Sequence, residues 1–452
     1  VEYSANLSIC TVSLRKGVKW NDGVPFTADD VVFTYDMILK TPALLPHGVV
    51  KAWVKEVRKI DDYTVEFKLV KPSRKFHMGP AFPGEHICSW QIIVPKHIWK
   101  DVDPTKFKNW PNPVFTGPYR LVSVSETEMI YDRRDDWWGT EVLGIRPAPE
   151  RIIYRLHSTD DIACMANARH ELDVVSDIAL GAWLSLKDKN PYAIVWHDTF
   201  PYAHFPHGCE RFIGFNMEGK YPFTLKEVRW ALAYFTNQEE IARVGLEGTT
   251  APSRAIFGQI TGMKKYLDVT KDLRAKYNFT EFNPEKGKAI LEGLGFKKGA
   301  DGIWVTPNGT RLELTCQAPP WIEKRAITSV WQEQMREAGI DVVIKIMESG
   351  PWSEGIMRGE FEATANWLCP MGSYEPYTYL DSFGHSKYAY PKGVPTPGMH
   401  YNPWRFRNAT YDKYLDEMAL LDAGDPKYTE LFLKAYEIWL QELPAIPTTL
   451  SK

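Results

Sequence analysis

Apolar positions in this chain switch repeatedly between a spacing of three to four and a spacing of two. Val31, Tyr35 and Ile38 recur at helical spacing. Before them stand Asn21-Asp22-Gly23, residue types that tolerate positive φ and make a turn, and Pro25, which disfavours helix at the residue preceding it. Thr27 with Asp30 three residues on reads as a capping box, so the spacing predicts a helix opening at Thr27. Tyr63 to Leu69 alternates with period two and, with Val57 to Ile60 across Asp61-Asp62, predicts a hairpin. Ile92 to Trp99 reads as a strand entering a short helix.

Further along, strands are expected at 119–124, 128–133, 151–156, 172–175 and 212–216. A helix is expected over 160–169, capped by Ser158 or Thr159, and another from Leu225 with Val228, Leu232 and Phe235 on one face. Asn283-Pro284 opens a helix that Gly295 is placed to stop. Asn308-Gly309 predicts a hairpin between 303–306 and 311–315. Strand 311–316, helix 324–338 closed by Gly339 and strand 340–346 form a βαβ unit, which requires a partly parallel sheet. Two helices, 410–422 and 426–442, close the chain. The pattern is α/β.

A chain of 452 residues exceeds one hydrophobic core and predicts several domains. The prolines Pro104, Pro111 and Pro113 mark a boundary, giving segments 1–112, 113–240 and 241–452. Lys and Arg number 54 against 57 Asp and Glu, so the net charge of −3 gives no whole-chain footprint for nucleic acid. No run of about 18 apolar residues is present to cross a bilayer. The chain opens at Val1-Glu2-Tyr3 without a signal peptide and reads as truncated at both ends. Cys10, Cys88, Cys164, Cys209, Cys316 and Cys369 form no C-x-x-C pair, and buried thiols are the simplest reading for all six. Most of the aromatic rings, seventeen tryptophans among them, must be core, but that density is also what a sugar-binding cleft would need, because indole faces stack on the apolar faces of pyranose rings.

Catalytic and metal signatures are weak. His204, His207 and Cys209, with His197 nearby, have a spacing that could seat a metal, but the prolines make the segment a loop and an ordinary polar loop is the preferred reading. Asp160-Asp161 falls in a first helical turn, where acidic residues favour the helix dipole, and Asp135-Asp136 precedes a turn. Gly-x-Ser-x-Gly, a Walker A loop and His-Glu-x-x-His are all absent. No enzyme activity and no metal or cofactor is expected.

The string Leu14-Arg15-Lys16-Gly17-Val18-Lys19-Trp20-Asn21-Asp22-Gly23-Val24-Pro25-Phe26-Thr27-Ala28-Asp29-Asp30-Val31 resembles the signature of the solute-binding proteins of oligopeptide/dipeptide-type ABC importers, extracellular solute-binding family 5. The resemblance continues in the family's order through Ile93-Val94-Pro95-Lys96-His97, Thr116-Gly117-Pro118-Tyr119, Asp136-Trp137-Trp138-Gly139, Phe215-Asn216, Val228-Arg229-Trp230-Ala231-Leu232, Asn283-Pro284-Glu285-Lys286-Gly287 and Gly293-Leu294-Gly295-Phe296. It implies a two-lobe type II periplasmic-binding-protein architecture with an extra domain. Residues 1–112 would be that extra domain, 113–240 the central part of lobe I and 241–452 lobe II. The family's opening strands and final return into the first lobe have no counterpart here.

Peptide-binding relatives carry a strand ending in Trp-x-x-Asp whose carboxylate holds the peptide ammonium. Here Trp367 matches and Pro370 takes the Asp position, with Glu375 a nearby substitute. The resemblance places Trp352 and Asn216 at the ligand. Trp321, at a strand end where α/β proteins take ligands, Asn366 as a hydrogen-bonding group and Trp90 on the extra domain complete the candidates. Trp138, Trp230, Trp331 and Trp439 read as structural.

The expected function is capture of an oligosaccharide between two lobes by hinge closure, for delivery to an ABC permease. A peptide ligand is the first alternative, with a secreted glycoside hydrolase and a nickel or haem carrier more remote. The protein is expected to be a periplasmic or extracellular monomer, with or without a lipid anchor, and to bind no nucleic acid.

Overall fold

The turn at Asn21-Asp22-Gly23 leads into a helix, Ala28–Lys40, closed at its start by the capping box of Thr27 and Asp30. This is a computed structural model that describes residues 1–79, 81–83, 92–176, 178–195, 197–202, 208–368 and 375–451. Asp30 is buried and does more than cap. Its carboxylate accepts from the main-chain N–H of Thr27 (3.0 Å), the main-chain N–H of Lys96 (2.9 Å) and the Trp20 indole (3.4 Å). The signature string is therefore a folding device, in which one carboxylate gathers three donors that burial would otherwise strand. Thr27→Ala should lower stability by about 1 kcal/mol. A urea midpoint followed by circular dichroism checks this, with Thr27→Ser near the parent value.

The chain divides into two compact units, Val1–Lys71 with Gln91–Val195, and Pro72–Trp90 with Trp196–Lys452. In the first unit β1 (Glu2–Tyr3), β2 (Ile9–Ser13), β3 (Val54–Asp61) and β4 (Thr64–Leu69) form an antiparallel sheet in the order β1-β2-β4-β3. Helix Ala28–Lys40 lies against it, with Tyr35 edge-on to Phe67 at 4.9 Å. A second antiparallel sheet follows, with β5 (Tyr119–Val124), β6 (Glu128–Arg133) and β7 (Arg151–Arg155) in sequence order. Two landmarks of the sequence interlock beside it, since the indoles of Trp137 and Trp138 both donate to the Thr116 carbonyl, at 3.0 and 2.8 Å. Gly139 permits that approach, because a Cβ there would lie 2.3 Å from the Trp137 ring.

The expected boundary at 112/113 is not the one the structure draws. Asn21 donates to the Pro113 carbonyl (3.1 Å) and accepts from the Phe115 N–H (3.0 Å), stitching the two predicted segments into one unit.

The second unit is built on β8 (Glu210–Phe215), β11 (Glu313–Ala318), β12 (Asp341–Ile346), β13 (Ala363–Leu368) and β14 (Ala445–Pro447), in the order β12-β11-β13-β8-β14. A small ribbon pairs β9 (Lys297–Lys298) with β10 (Trp304–Val305). As the βαβ pattern requires, β11 runs parallel to β12, with helix Ile322–Ala338 between them and Gly339 at φ +87° ending it. β11 is parallel to β13 as well, while β8 is antiparallel to both β13 and β14. That pairing moves residues 210–240 into the second unit, so the expected boundary at 240 shifts to 195. Arg229 is fully buried and donates to the carbonyls of Phe223, Glu442 and Leu443.

One local expectation fails. Residues 172–175 form no strand; Val174 is 80 % exposed and no partner strand covers the segment among the described residues. The Asn308-Gly309 hairpin forms as a short one: the bridge between Val305 and Arg311 is flanked by main-chain hydrogen bonds from Thr306 N–H to the Thr310 carbonyl (2.8 Å) and from Leu312 N–H to the Trp304 carbonyl (2.7 Å), after which the second arm continues into β11.

Candidate functional site

β11, β12 and β13 point the same way, so the segments that follow them converge at one edge of the sheet, the edge at which α/β proteins take ligands. Trp321 follows β11 through Pro319-Pro320 and is the residue from which helix Ile322–Ala338 starts. Trp352 follows β12 and sits in helix Ser349–Arg358. Trp367 lies near the end of β13. The three rings meet. Trp321 and Trp367 are 4.6 Å apart between centroids, Trp321 and Trp352 are 5.5 Å apart, and Trp352 and Trp367 stack at 5.8 Å with 26° between planes.

Their roles in the packing differ. Trp352 is 1 % exposed, and its indole N–H donates to Thr364 Oγ1 at 3.1 Å. Trp321 is 39 % exposed and offers ring surface to solvent. Trp367 is half-buried between them, with the His400 ring at 5.9 Å.

Sequence reasoning did not anticipate the amine under this platform. Lys324, one turn into its helix, is 1 % exposed; its Nζ lies 5.3 Å from the centre of the Trp367 ring, 3.4 Å from the Asn366 carbonyl and 3.7 Å from Glu323. Glu323 is held in turn by Arg211 at 2.6 Å. Burial pushes the Lys324 amine down to about 7, with Glu323 pulling it up and Arg211 down. The unfolded chain titrates near 10.5, so it binds the proton more tightly across the window between about 7 and 10.5, and in that window the native state gains stability as pH rises. Lys324→Met should therefore stabilise the protein most below pH 7, with the gain shrinking to nothing above pH 10.5; paired urea titrations at pH 6 and pH 10 check this.

Asn366 is fully buried. Its Oδ1 accepts from the Trp367 N–H (2.8 Å), and its Nδ2 has no hydrogen-bond partner among the described residues. The structure thus brings Trp321, Trp352 and Trp367 together, with Asn366 buried next to Trp367 in β13.

It separates the other candidates. Asn216 pairs to the opposite end of β13, where Phe215 faces Ala363. Its Nδ2 donates to the carbonyls of Gly359 (2.8 Å) and Phe361 (3.1 Å), and its Oδ1 accepts from the Glu218 N–H (3.0 Å). With its hydrogen-bonding groups spent on the main chain, Asn216 is a latch for the turn before β13, which corrects its placement at the ligand. Glu375 is 3 % exposed, with its two carboxylate oxygens 2.9 and 3.0 Å from Lys75 Nζ. The Lys75 amine also lies 5.0 Å from the Tyr428 ring centre. The Glu375 carboxylate is thus engaged by a buried lysine.

Trp90, Pro370, His204, His207, Cys88 and Cys369 lie outside the described residues. Among the described residues no cluster of three or more His, Cys, Asp or Glu could hold a metal ion. Cys10, Cys164 and Cys316 are buried free thiols, as expected, and burial pushes Cys10 to about 11 and Cys316 to about 12. Cys209 departs from the thiol reading, because it is disulfide-bonded.

The profile of the bacterial extracellular solute-binding proteins, family 5, matches residues 1–391. The chain belongs to this family. Family 5 members are non-enzymatic solute-binding components of transport systems, and the hydrolase alternative falls with that assignment. Among individual relatives, the dipeptide-binding protein of Escherichia coli (strain K12) is 25 % identical over 98 % of this chain and 78 % of its own. A periplasmic oligopeptide-binding protein of an oligopeptide ABC transporter from Thermotoga maritima, crystallised with mannohexaose bound, is 28 % identical with a TM-score of 0.84, over all of this chain and 80 % of that one. The oligopeptide-binding protein AppA of Bacillus subtilis, solved with a nonapeptide, shares the fold at a TM-score of 0.78 and 23 % identity, over 99 % of this chain and 82 % of that one. The α/β fold is that of these periplasmic binding proteins.

Proposed function

We propose that this family 5 protein is the extracytoplasmic substrate-binding component of an ABC importer and that its ligand is an oligosaccharide. The observation that carries this reading is the tryptophan trio, which joins the exposed Trp321 indole to the half-buried Trp367 and the buried Trp352 at the edge where the parallel strands end. Flat apolar ring faces complement the apolar faces of pyranoses. The charge balance points the same way. The carboxylate beside Lys324, Glu323, is already committed to Arg211, and the group beneath the Trp367 ring is the Lys324 amine. A peptide ammonium would meet an amine there rather than a carboxylate. The mannohexaose bound by the Thermotoga relative supports the same ligand class.

Delivery to a membrane permease follows from the family, with hinge closure as its conformational step. Among the described residues no helix is long and apolar enough to cross a membrane. The Cys209 disulfide suits an oxidising compartment outside the cytoplasm. A peptide ligand remains the second reading, because the Escherichia and Bacillus relatives bind peptides. Titration of intrinsic tryptophan fluorescence with mannohexaose, and separately with mixed dipeptides and a nonapeptide, separates the two. A saturable change with mannohexaose alone is expected; a response to peptides alone overturns the sugar assignment.

A further inference from the structure

A second cavity, of about 300 Å³, lies within the second unit and shares no residue with the tryptophan site. It is formed by the short helix Gln238–Glu240, by Pro252 and Arg254, by helix Lys271–Lys276 and by residues 278–280. Its size is at the lower end of small-molecule pockets. Three cationic side chains line it, Arg254, Lys271 and Arg274, against one carboxylate, Glu239. Arg254 and Lys271 are exposed at its rim, and none of the three cations has an ion-pair partner among the described residues. Arg274 is held in place by donating to Thr270 Oγ1 (3.3 Å) and to the Leu267 carbonyl (2.8 Å).

The inner wall carries a different signal. Gln238 is 2 % exposed, and its Nε2 is fixed on the Pro447 carbonyl at 2.5 Å. Its Oε1 has no hydrogen-bond partner among the described residues. A buried acceptor left bare is costly, and such groups in folded proteins are nearly always answered by a donor. An occupant therefore needs negative charge for the guanidinium and ammonium groups and an O–H for Gln238. Fork-shaped guanidinium groups suit carboxylate and phosphate oxygens equally.

We infer that this cavity is a second binding site, specific for a small hydroxylated anion, either a hydroxycarboxylate or a sugar phosphate. The inference goes beyond the proposed transport ligand and is independent of it, because the two sites have no residue in common.

Calorimetric titration of the full chain at low salt, with glucose 6-phosphate, with citrate and with inorganic sulfate, tests it. Saturable binding of one or both hydroxylated anions is expected, with sulfate at least tenfold weaker; the preferred one identifies phosphate or carboxylate as the recognised group. Arg274→Gln and Lys271→Gln should each weaken binding tenfold or more, and Gln238→Leu should reduce the hydroxylated anion to the level of sulfate. Because Lys271 is exposed, Lys271→Gln keeps the test decisive if loss of Arg274 disturbs its helix. No saturable heat with either anion, equal affinity for sulfate, or parent-like binding by Lys271→Gln overturns the inference. Mannohexaose should neither compete with these anions nor be needed for their binding.

Discussion

Trp321→Ala should weaken mannohexaose binding by about 30-fold or more while leaving the unfolding midpoint close to the parent's. The indole is 39 % exposed where Trp352 is 1 % exposed, so its removal takes solvent-facing ring surface and less core than loss of the buried ring would. Central aromatic anchors typically contribute about 2 kcal/mol or more to binding, which converts to the stated factor. Trp321→Phe should recover part of the affinity, because a smaller flat face remains. Trp352→Ala is the instructive contrast. That ring is 1 % exposed and hydrogen-bonded to Thr364, so truncation should cost about 3–5 kcal/mol of stability and confound any binding measurement. Unchanged mannohexaose affinity in Trp321→Ala, measured by calorimetry, would remove the platform from the ligand site.

Breaking the buried pair of Lys75 and Glu375 should produce the largest loss of stability in the second unit. Both side chains are about 3 % exposed, and each neutralises the other away from water. Removing one partner leaves an uncompensated buried charge, a change that costs about 3–5 kcal/mol, so Lys75→Met alone should be severely destabilised. The double variant Lys75→Met with Glu375→Leu should recover most of that loss, because apolar residues of similar volume can replace a buried pair at little net cost. Urea midpoints of the two single variants and the double variant give the coupling directly. If the single variants unfold with the parent midpoint, the pair contributes nothing. The same cycle bears on ligand choice, since the double variant, which keeps the site neutral, should leave mannohexaose affinity unchanged.

What the sequence made legible was whatever is decided locally. Thr27 and Asp30 announce the cap of their helix, Gly339 its counterpart at the far end of Ile322–Ala338, and the strands at 119–124 and 128–133 stand where period two put them. Expectations failed where a distant partner decides the outcome. The segment 172–175 has strand-like residues but no neighbour to pair with, and β propensity without a partner is no strand. Trp321, Trp352 and Trp367 meet because the ends of β11, β12 and β13 converge; that rule is legible for Trp321, while Trp352 and Trp367 are singled out by resemblance alone. For Asn216 a matching sequence position does not reveal which carbonyls the side chain faces. Lys324 carries no sequence signal of burial, and nothing near Glu375 points to a lysine 300 positions earlier.

That separation has a consequence for the order in which the protein matures. Lys75 belongs to a short excursion of the early chain, Pro72–Trp90, that completes the unit otherwise made from Trp196 onward. Chains are synthesised at roughly 5–20 residues per second, so Glu375 emerges roughly 15–60 s after the lysine it must neutralise. Throughout that interval the excursion has no home, and the first unit has to close around a gap in its own sequence. Only the excursion is thus kept waiting on the late half, and the second unit stays incomplete until Glu375 has been made.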